Sequence, residues 1–252
     1  MITLAVAPLT TTFLIAIRLG TVLLLSPIEA IRLLPIPTRI ILLLLLSMLI
    51  VANVSAAQDN NTTEFSLVLS SLAEFFNGLF ITLSLSAAFA IFQIAGQLID
   101  TQIGFNSLAI LNPTNQAYEP LSGRLLMMLA VLFFFTLDEH HQLIQGLSLS
   151  FKIIEPGQFG LFNGFAPVIQ LCSLMFSLAL MLASPIIISL IIVDISGAIL
   201  TRNMPQISIY FLTLPIKILL GLFIFMFLLN NLNPLIQKAF NAYFQTLNQM
   251  LS

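Results

Sequence analysis

Apolar residues in this chain collect into six long runs rather than into short alternating stretches. The runs cover residues 4–28, 38–57, 65–99, 121–137, 166–200 and 207–232. The separators are short and carry the punctuation. Pro35 and Pro37 lie in the first, the second (58–64) is polar, and 100–120 is the longest polar stretch. A mixed 138–164 follows, with Pro156, Gly157, Gly160 and Gly164, and then a tight 201–206 with Pro205. Strand-period alternation does not persist anywhere, and open sheet edges cannot be satisfied in lipid. The pattern predicts an all-α integral membrane protein of about six long, kinked apolar helices arranged as hairpins. The third and fifth runs are each about 35 residues, or roughly 50 Å as helix, where about 20 residues cross the hydrocarbon core. Such helices must tilt and bend or project beyond the bilayer to pack on protein. Pro185 gives the fifth run a natural kink.

Composition agrees with this reading. Hydrophobic residues make up 59% of the chain and charged residues only 7%, where a soluble domain carries about 25% charged residues. Mean hydropathy is +1.07. So few charges cannot cover a water-facing surface, so most of the surface meets lipid or other subunits. A net charge of −2 without any basic run offers nothing to a nucleic acid. Cys172 is the only cysteine, which excludes an intrachain disulfide or a thiolate metal cluster. The first residues lack the basic region of a secretory leader. Arg39 followed by 40–52 has that outline but lies behind another apolar run, so it reads as a span. Alternate loops place Arg32, Arg39, Arg124 and Arg202 on one side and Lys152 and Lys238 on the other. The positive-inside rule then puts the arginines in the cytoplasm and both termini outside.

Few residues offer chemistry. Gln93, Gly96, Gln97 and Asp100 recur at helical spacing, either facing an aqueous path or partner, or gluing neighbouring helices at a close approach. Arg18 stands inside the first run, where a charge marks function by default or snorkels or meets a partner subunit. Glu29 and Arg32 have the spacing of a helical ion pair. Asp138-Glu139-His140-His141 is the one carboxylate–histidine cluster. Its adjacent histidines lack the four-residue spacing of a helical metal motif, so it reads as a helix start with Asp138 as N-cap and Glu139 at the positive end of the dipole. Neither a nucleophile with its base, nor a phosphate-cradling loop, nor a catalytic carboxylate pair is found. The expectation is no enzyme, no cofactor and no metal.

Three stretches together resemble the FliR/SctT family of flagellar and virulence type III export-gate proteins. The first is Gly96-Gln97-Leu98-Ile99-Asp100-Thr101-Gln102-Ile103-Gly104, followed by Asn112-Pro113. The second runs from Phe133 through Asp138-Glu139-His140-His141 to Leu143-Ile144. The third is Asp194 to Gln206, with Gly197, Arg202 and Pro205, followed by Pro215 and Lys217. Asn112 stands where the family commonly has aspartate, Glu139 where it has glycine, and Gly197 comes one position early.

The resemblance implies a single-copy subunit of an inner-membrane export gate, assembled with FliP-type and FliQ-type subunits and an FlhB-type switch protein. Unfolded secretion substrates would pass through it. Residues 1–165 would be FliP-like and include a pore plug loop at 101–120, and 166–252 would be a FliQ-like hairpin with a C-terminal tail. The plug would comprise Gly104, Phe105, Asn106, Ser107, Leu108, Ile110, Leu111, Asn112 and Pro113. Gln93, Gln97, Asp100 and Gln102 would be pore-facing or between subunits. The hairpin tip would hold Asp194, Arg202, Pro205, Gln206 and Lys217, with Asp194 pairing with a neighbouring subunit rather than with Arg202. The physics suits a plug: apolar Phe105, Leu108, Ile110 and Leu111 can exclude water by dewetting, Gly104 permits a sharp turn and Pro113 stiffens the exit. Without the resemblance the stretch reads as a plain surface loop. The alternative function is a subunit of a secondary transporter or small-solute channel, and a third is an assembly scaffold.

Overall fold

A computed structural model describes residues 2–52, 64–105, 120–160, 165–203 and 209–251. The described residues form helices and turns, without a strand. The helices are α1 (Ile2–Leu24), α2 (Glu29–Arg32), α3 (Ile36–Val51), α4 (Glu64–Ile103), α5 (Leu121–Thr136), α6 (Glu139–Ile153), α7 (Phe165–Asn203), α8 (Ile209–Asn230) and α9 (Leu232–Leu251). The described part of each of the six apolar runs falls mainly on a helix, and the all-α expectation holds. Three of the described helices are long and apolar enough to cross a membrane, or four if the bent pair α5–α6 counts as one span. At 16 residues, α3 reaches only about 24 Å, short of a hydrocarbon core of about 30 Å.

The long helices are continuous: α4 has 40 residues and α7 has 39, about 60 Å each. Pro185 lies inside α7 and cannot donate to the carbonyl four residues back. The Ser184 hydroxyl donates to that carbonyl, Met181 O, at 2.9 Å, so the orphaned acceptor is satisfied without water. In the most apolar stretch of α4, 67% of the residues are buried, against 33% for α7 and 17% for Thr213–Asn230 of α8. Accordingly α4 is an internal helix, while α7 and α8 turn most of their apolar surface outward, to lipid or other chains.

Contacts divide the chain into two compact units, each drawn from separated parts of the sequence. Met1–Ala88, Phe134–Ser173 and Phe240–Ser252 make the first; Phe89–Phe133 and Leu174–Ala239 make the second. In the first, α1 packs on α3 and on the N-terminal half of α4. The α1–α4 crossing is at Gly78, where an added Cβ would lie 1.7 Å from Thr21 Oγ1 and 2.7 Å from the Arg18 carbonyl oxygen. A side chain can rotate away, but that backbone oxygen cannot. Gly78→Ala is expected to lower stability by about 1–3 kcal/mol through overpacking, read as a lower thermal midpoint in detergent. An unchanged midpoint would mean the helices do not cross this closely.

The C-terminal stretch forms the amphipathic helix α9. Leu232, Ile236, Ala239, Phe240, Tyr243 and Leu247 are all buried, at the three- and four-residue spacing of one helix face. Within the first unit, Phe240 packs on Phe134 with ring centroids 5.3 Å apart, and Leu247 fills the space that a Cβ on Gly146 would need. Burial raises the Tyr243 phenol above its ordinary pKa, so it stays neutral.

Candidate functional site

The most polar interior feature lies in the first unit. Arg18 on α1 and Glu74 on α4 are wholly buried and meet as a two-pronged pair: Nε donates to Oε2 at 2.6 Å and Nη2 to Oε1 at 2.9 Å. The remaining capacity of both groups is met from α6 and the turn after it. Arg18 Nη1 donates to the Ser150 carbonyl at 3.0 Å and its hydroxyl at 3.2 Å. Nη2 also reaches the Ile154 carbonyl at 3.4 Å. The Gly157 N–H donates to Glu74 Oε1 at 2.7 Å. Gly157 has φ +97, a conformation glycine adopts without a Cβ penalty. The Phe151 ring lies 4.3 Å from the guanidinium carbon, adding a cation–π contact. Arg18 therefore neither snorkels nor waits for a partner subunit. It is the centre of a clamp holding α1, α4 and α6 together, with both charges wholly buried.

In the second unit, Asp100 fastens two helices at the end of α4. Its carboxylate accepts the Ser122 N–H at 3.1 and 3.3 Å. Ser122 lies in the first turn of α5, whose N–H groups have no acceptor within the helix, and an anion there is favoured by the helix dipole. The helices touch backbone to backbone beside this contact: a Cβ on Gly96 would lie 2.0 Å from the Gly123 Cα. The polar stripe thus divides. Gly96 and Asp100 are buried and glue α4 to α5, whereas Gln93 and Gln97 are exposed and Gln102 is half-buried. After Ile103 the chain turns at Gly104, φ +95, with the N–H groups of Gly104 and Phe105 both directed at the Asp100 carbonyl, at 3.1 and 3.0 Å. The segment leaving Phe105 and the one entering at Pro120 are therefore anchored on the same residue, Asp100. Asn106, Ser107, Leu108, Ile110, Leu111, Asn112 and Pro113 lie outside the described residues.

Asp194 has a partner within the chain, which corrects the expectation of one on a neighbouring subunit. Lys217 Nζ lies 2.7 Å from its Oδ1 and 2.8 Å from its Oδ2. The pair links α7 to α8, and a half-exposed ion pair of this kind contributes at most about 1 kcal/mol. Arg202 is exposed near the end of α7; Pro205 and Gln206 lie outside the described residues. Asp138 precedes α6 as expected, yet it takes the left-handed conformation (φ 59) and its side chain makes no capping hydrogen bond. Its Oδ1 lies 3.5 Å from His141 Nδ1 instead. Asp138, His140 and His141 each bring a donor atom within 4.8 Å of the others, at a helix N-terminus whose partial positive charge opposes a cation.

Sequence reasoning missed Glu74. The signal was present: Arg18 is the only charge in run 4–28, and Glu74 the only one in run 65–99. Two lone intramembrane charges of opposite sign call for one another.

Long apolar helices, with charges paired inside the fold and apolar faces turned outward, define an all-α integral membrane protein. Residues 9–243 match the family described as bacterial export proteins, family 1. The chain belongs to that family. It is 28% identical over 164 residues to flagellar biosynthetic protein FliR of Bacillus subtilis (strain 168), covering 64% of this chain and 63% of that protein. To flagellar biosynthetic protein FliR of Pectobacterium carotovorum it is 31% identical over 176 residues, 69% of this chain and 67% of that one. To surface presentation of antigens protein SpaR of Shigella flexneri it is 27% identical over 150 residues, 58% of this chain and 57% of that one. The chain thus spans about two thirds of the length of the two flagellar relatives.

Proposed function

We propose that this chain is a single-copy subunit of the inner-membrane export gate of a type III secretion system, of the flagellar kind, and that it helps to form and plug the protein-conducting pore. The observation that carries the reading is the family match over residues 9–243, together with relatives named for flagellar biosynthesis. Its partners are FliP-type and FliQ-type gate subunits and an FlhB-type switch protein, and unfolded substrates pass in transit. Residues 1–165 correspond to the FliP-like part and 166–252 to the FliQ-like hairpin with its C-terminal part. The outward apolar faces of α7 and α8 suit burial against such partners. Helices of about 60 Å suit an assembly partly raised above the bilayer toward the periplasm, at the flagellar basal body.

In this reading the segment between Phe105 and Pro120 is the plug, with Asp100 as its anchor, and Arg202 with Pro205 and Gln206 forms a hairpin tip for cytoplasmic-side contacts. The work is conduction and sealing, not catalysis. A small-solute transporter would use mid-membrane charges; the mutual neutralisation of Arg18 and Glu74 weighs against that alternative. Purification with and without co-expressed FliP-type and FliQ-type partners, followed by native mass measurement, tests the assignment. One copy of this chain in a defined heteromeric complex is expected. A stable homo-oligomer as the only species would defeat it.

A further inference from the structure

Four consecutive residues at the start of α6, Asp138-Glu139-His140-His141, bring two carboxylates and two imidazoles into the first unit. Their spacing speaks against a metal, because neighbours on a helix point about 100° apart. The structure nonetheless draws three of them together. The His140 and His141 rings have centroids 4.1 Å apart and planes 36° apart. The Asp138 side chain makes no capping hydrogen bond, and its Oδ1 stands 3.5 Å from His141 Nδ1. One donor atom from each of Asp138, His140 and His141 lies within 4.8 Å of the others. Two ligands on one tetrahedral zinc, each about 2.1 Å from the ion, are about 3.3 Å apart. The Asp138–His141 pair is nearly at that separation already. The side chains of Asp138 and His141 are 74% and 65% exposed, so they are free to rotate through the remaining gap.

Charge favours a cation at this turn. Among the described residues neither Asp138 nor Glu139 meets a lysine or arginine. Arg39 of α3 shares a cavity lining with His140, but its guanidinium is held on the Leu34 and Arg32 carbonyls. Glu139 is only 5% exposed, and its Oε2 is enclosed without a hydrogen-bond partner. A cation nearby offsets the cost of burying its charge. The helix dipole opposes a cation only within the first turn, and Glu139 stands in that turn. His140 Nδ1 is likewise enclosed and without a partner, so no hydrogen bond at that nitrogen commits the ring to one tautomer. The Phe135 ring packs on it with a centroid separation of 5.4 Å. Imidazole nitrogens select a transition ion such as Zn²⁺ over Mg²⁺ or Ca²⁺, which take oxygen ligands. Two imidazoles and one carboxylate make three protein ligands and leave a fourth position for water.

We propose that Asp138, His140 and His141 form a binding site for one Zn²⁺ ion at the turn into α6. Bound there, the ion ties the residue before the helix to its first turn. The inference needs only the fold of the first unit and is independent of the gate assignment. The full-length chain, purified in detergent by a tag that contains no histidine, is freed of metal with a chelator and titrated with Zn²⁺ against a chromophoric competitor. One ion per copy of the chain is expected to depend on the three residues. Asp138→Asn, His140→Gln and His141→Gln should each weaken its binding by about tenfold or more, since even the outer-shell partners of a metal ligand are worth about 10–100-fold in affinity. Asparagine tolerates the left-handed conformation as aspartate does, and His141 is exposed, so a loss in those two variants cannot be laid to a broken fold. Zn²⁺ should raise the unfolding midpoint of the parent and leave that of His141→Gln where it was. Co²⁺ in place of zinc should give visible absorption bands that change in both histidine variants. Equal retention of Zn²⁺ by the parent and all three variants would show an adventitious ion only and would overturn the proposal. So would Mg²⁺ or Ca²⁺ binding as tightly as Zn²⁺, because the histidines would then take no part.

Discussion

Glu74→Gln is expected to destabilise the folded protein by about 3–5 kcal/mol, the usual cost of removing one member of a buried ion pair. Glutamine keeps the size of the side chain but not its charge. It leaves the Arg18 guanidinium enclosed among the Ser150 and Ile154 carbonyls and the Phe151 ring, with no anion to balance it. Arg18→Met should cost a similar amount, because Glu74 would keep only the Gly157 N–H among these contacts. The double variant, Arg18→Met with Glu74→Leu, removes both charges. It should be far less destabilised than the sum of the singles, since apolar replacement of a whole buried pair is often close to neutral. A residual loss of about 1–3 kcal/mol is expected from the Gly157 N–H left without an acceptor. Unfolding midpoints of the four proteins in one detergent complete the cycle. Losses that simply add would show that Arg18 and Glu74 act independently, and the clamp would not be what joins α1, α4 and α6.

How much of this was legible in the sequence depended on the length scale of the signal. The apolar runs were long, so helix existence and type followed directly from them. Division by hydropathy, however, treats everything outside a run as a connector. That hid α9, whose apolar residues are spaced at helical period among Asn, Gln and Lys, while α6 was legible only by its start at Asp138. Periodicity, not mean hydropathy, was the signal for α9. Contacts between distant positions were harder. Arg202, eight residues on, was set aside as a partner for Asp194 in favour of a neighbouring subunit, but an ion pair is made across the hairpin at Lys217. Arg18 was recognised as unusual, yet its partner is 56 residues away, and only the matching of lone opposite charges could have joined them. At Gly96, Asp100 and Gly104 the motif did mark a real construction. It could not separate the buried side of the helix from the exposed Gln93 and Gln97, because glycine and aspartate look polar in a pattern and are buried here for different reasons: close backbone approach for one, a helix N-terminus for the other.

Deleting residues 105–111 is expected to raise the passive permeability of the assembled complex to ions and small solutes, with assembly intact. The removed stretch contains the apolar Phe105, Leu108, Ile110 and Leu111, and an apolar constriction excludes water only while its side chains occupy the lumen. What should survive the deletion is the anchor. Asp100 still accepts from the first turn of α5, and Gly96 still meets Gly123, so α4 and α5 keep their register. A second variant separates the plug from its anchor. Asp100→Ala keeps the apolar residues but leaves the buried Ser122 N–H without its acceptor, at a cost of about 1–3 kcal/mol. It should give a smaller leak than the deletion, accompanied by a measurable loss of complex stability, whereas the deletion should leak without that loss. Conductance of reconstituted complexes, or uptake of a small impermeant dye by cells, reads the leak, and complex yield reads assembly. A deletion complex that forms in full yield and conducts no more than the parent would show that this segment is not the seal. The scaffold reading would then gain, because the same family match would remain while the only physical argument for a plug was gone.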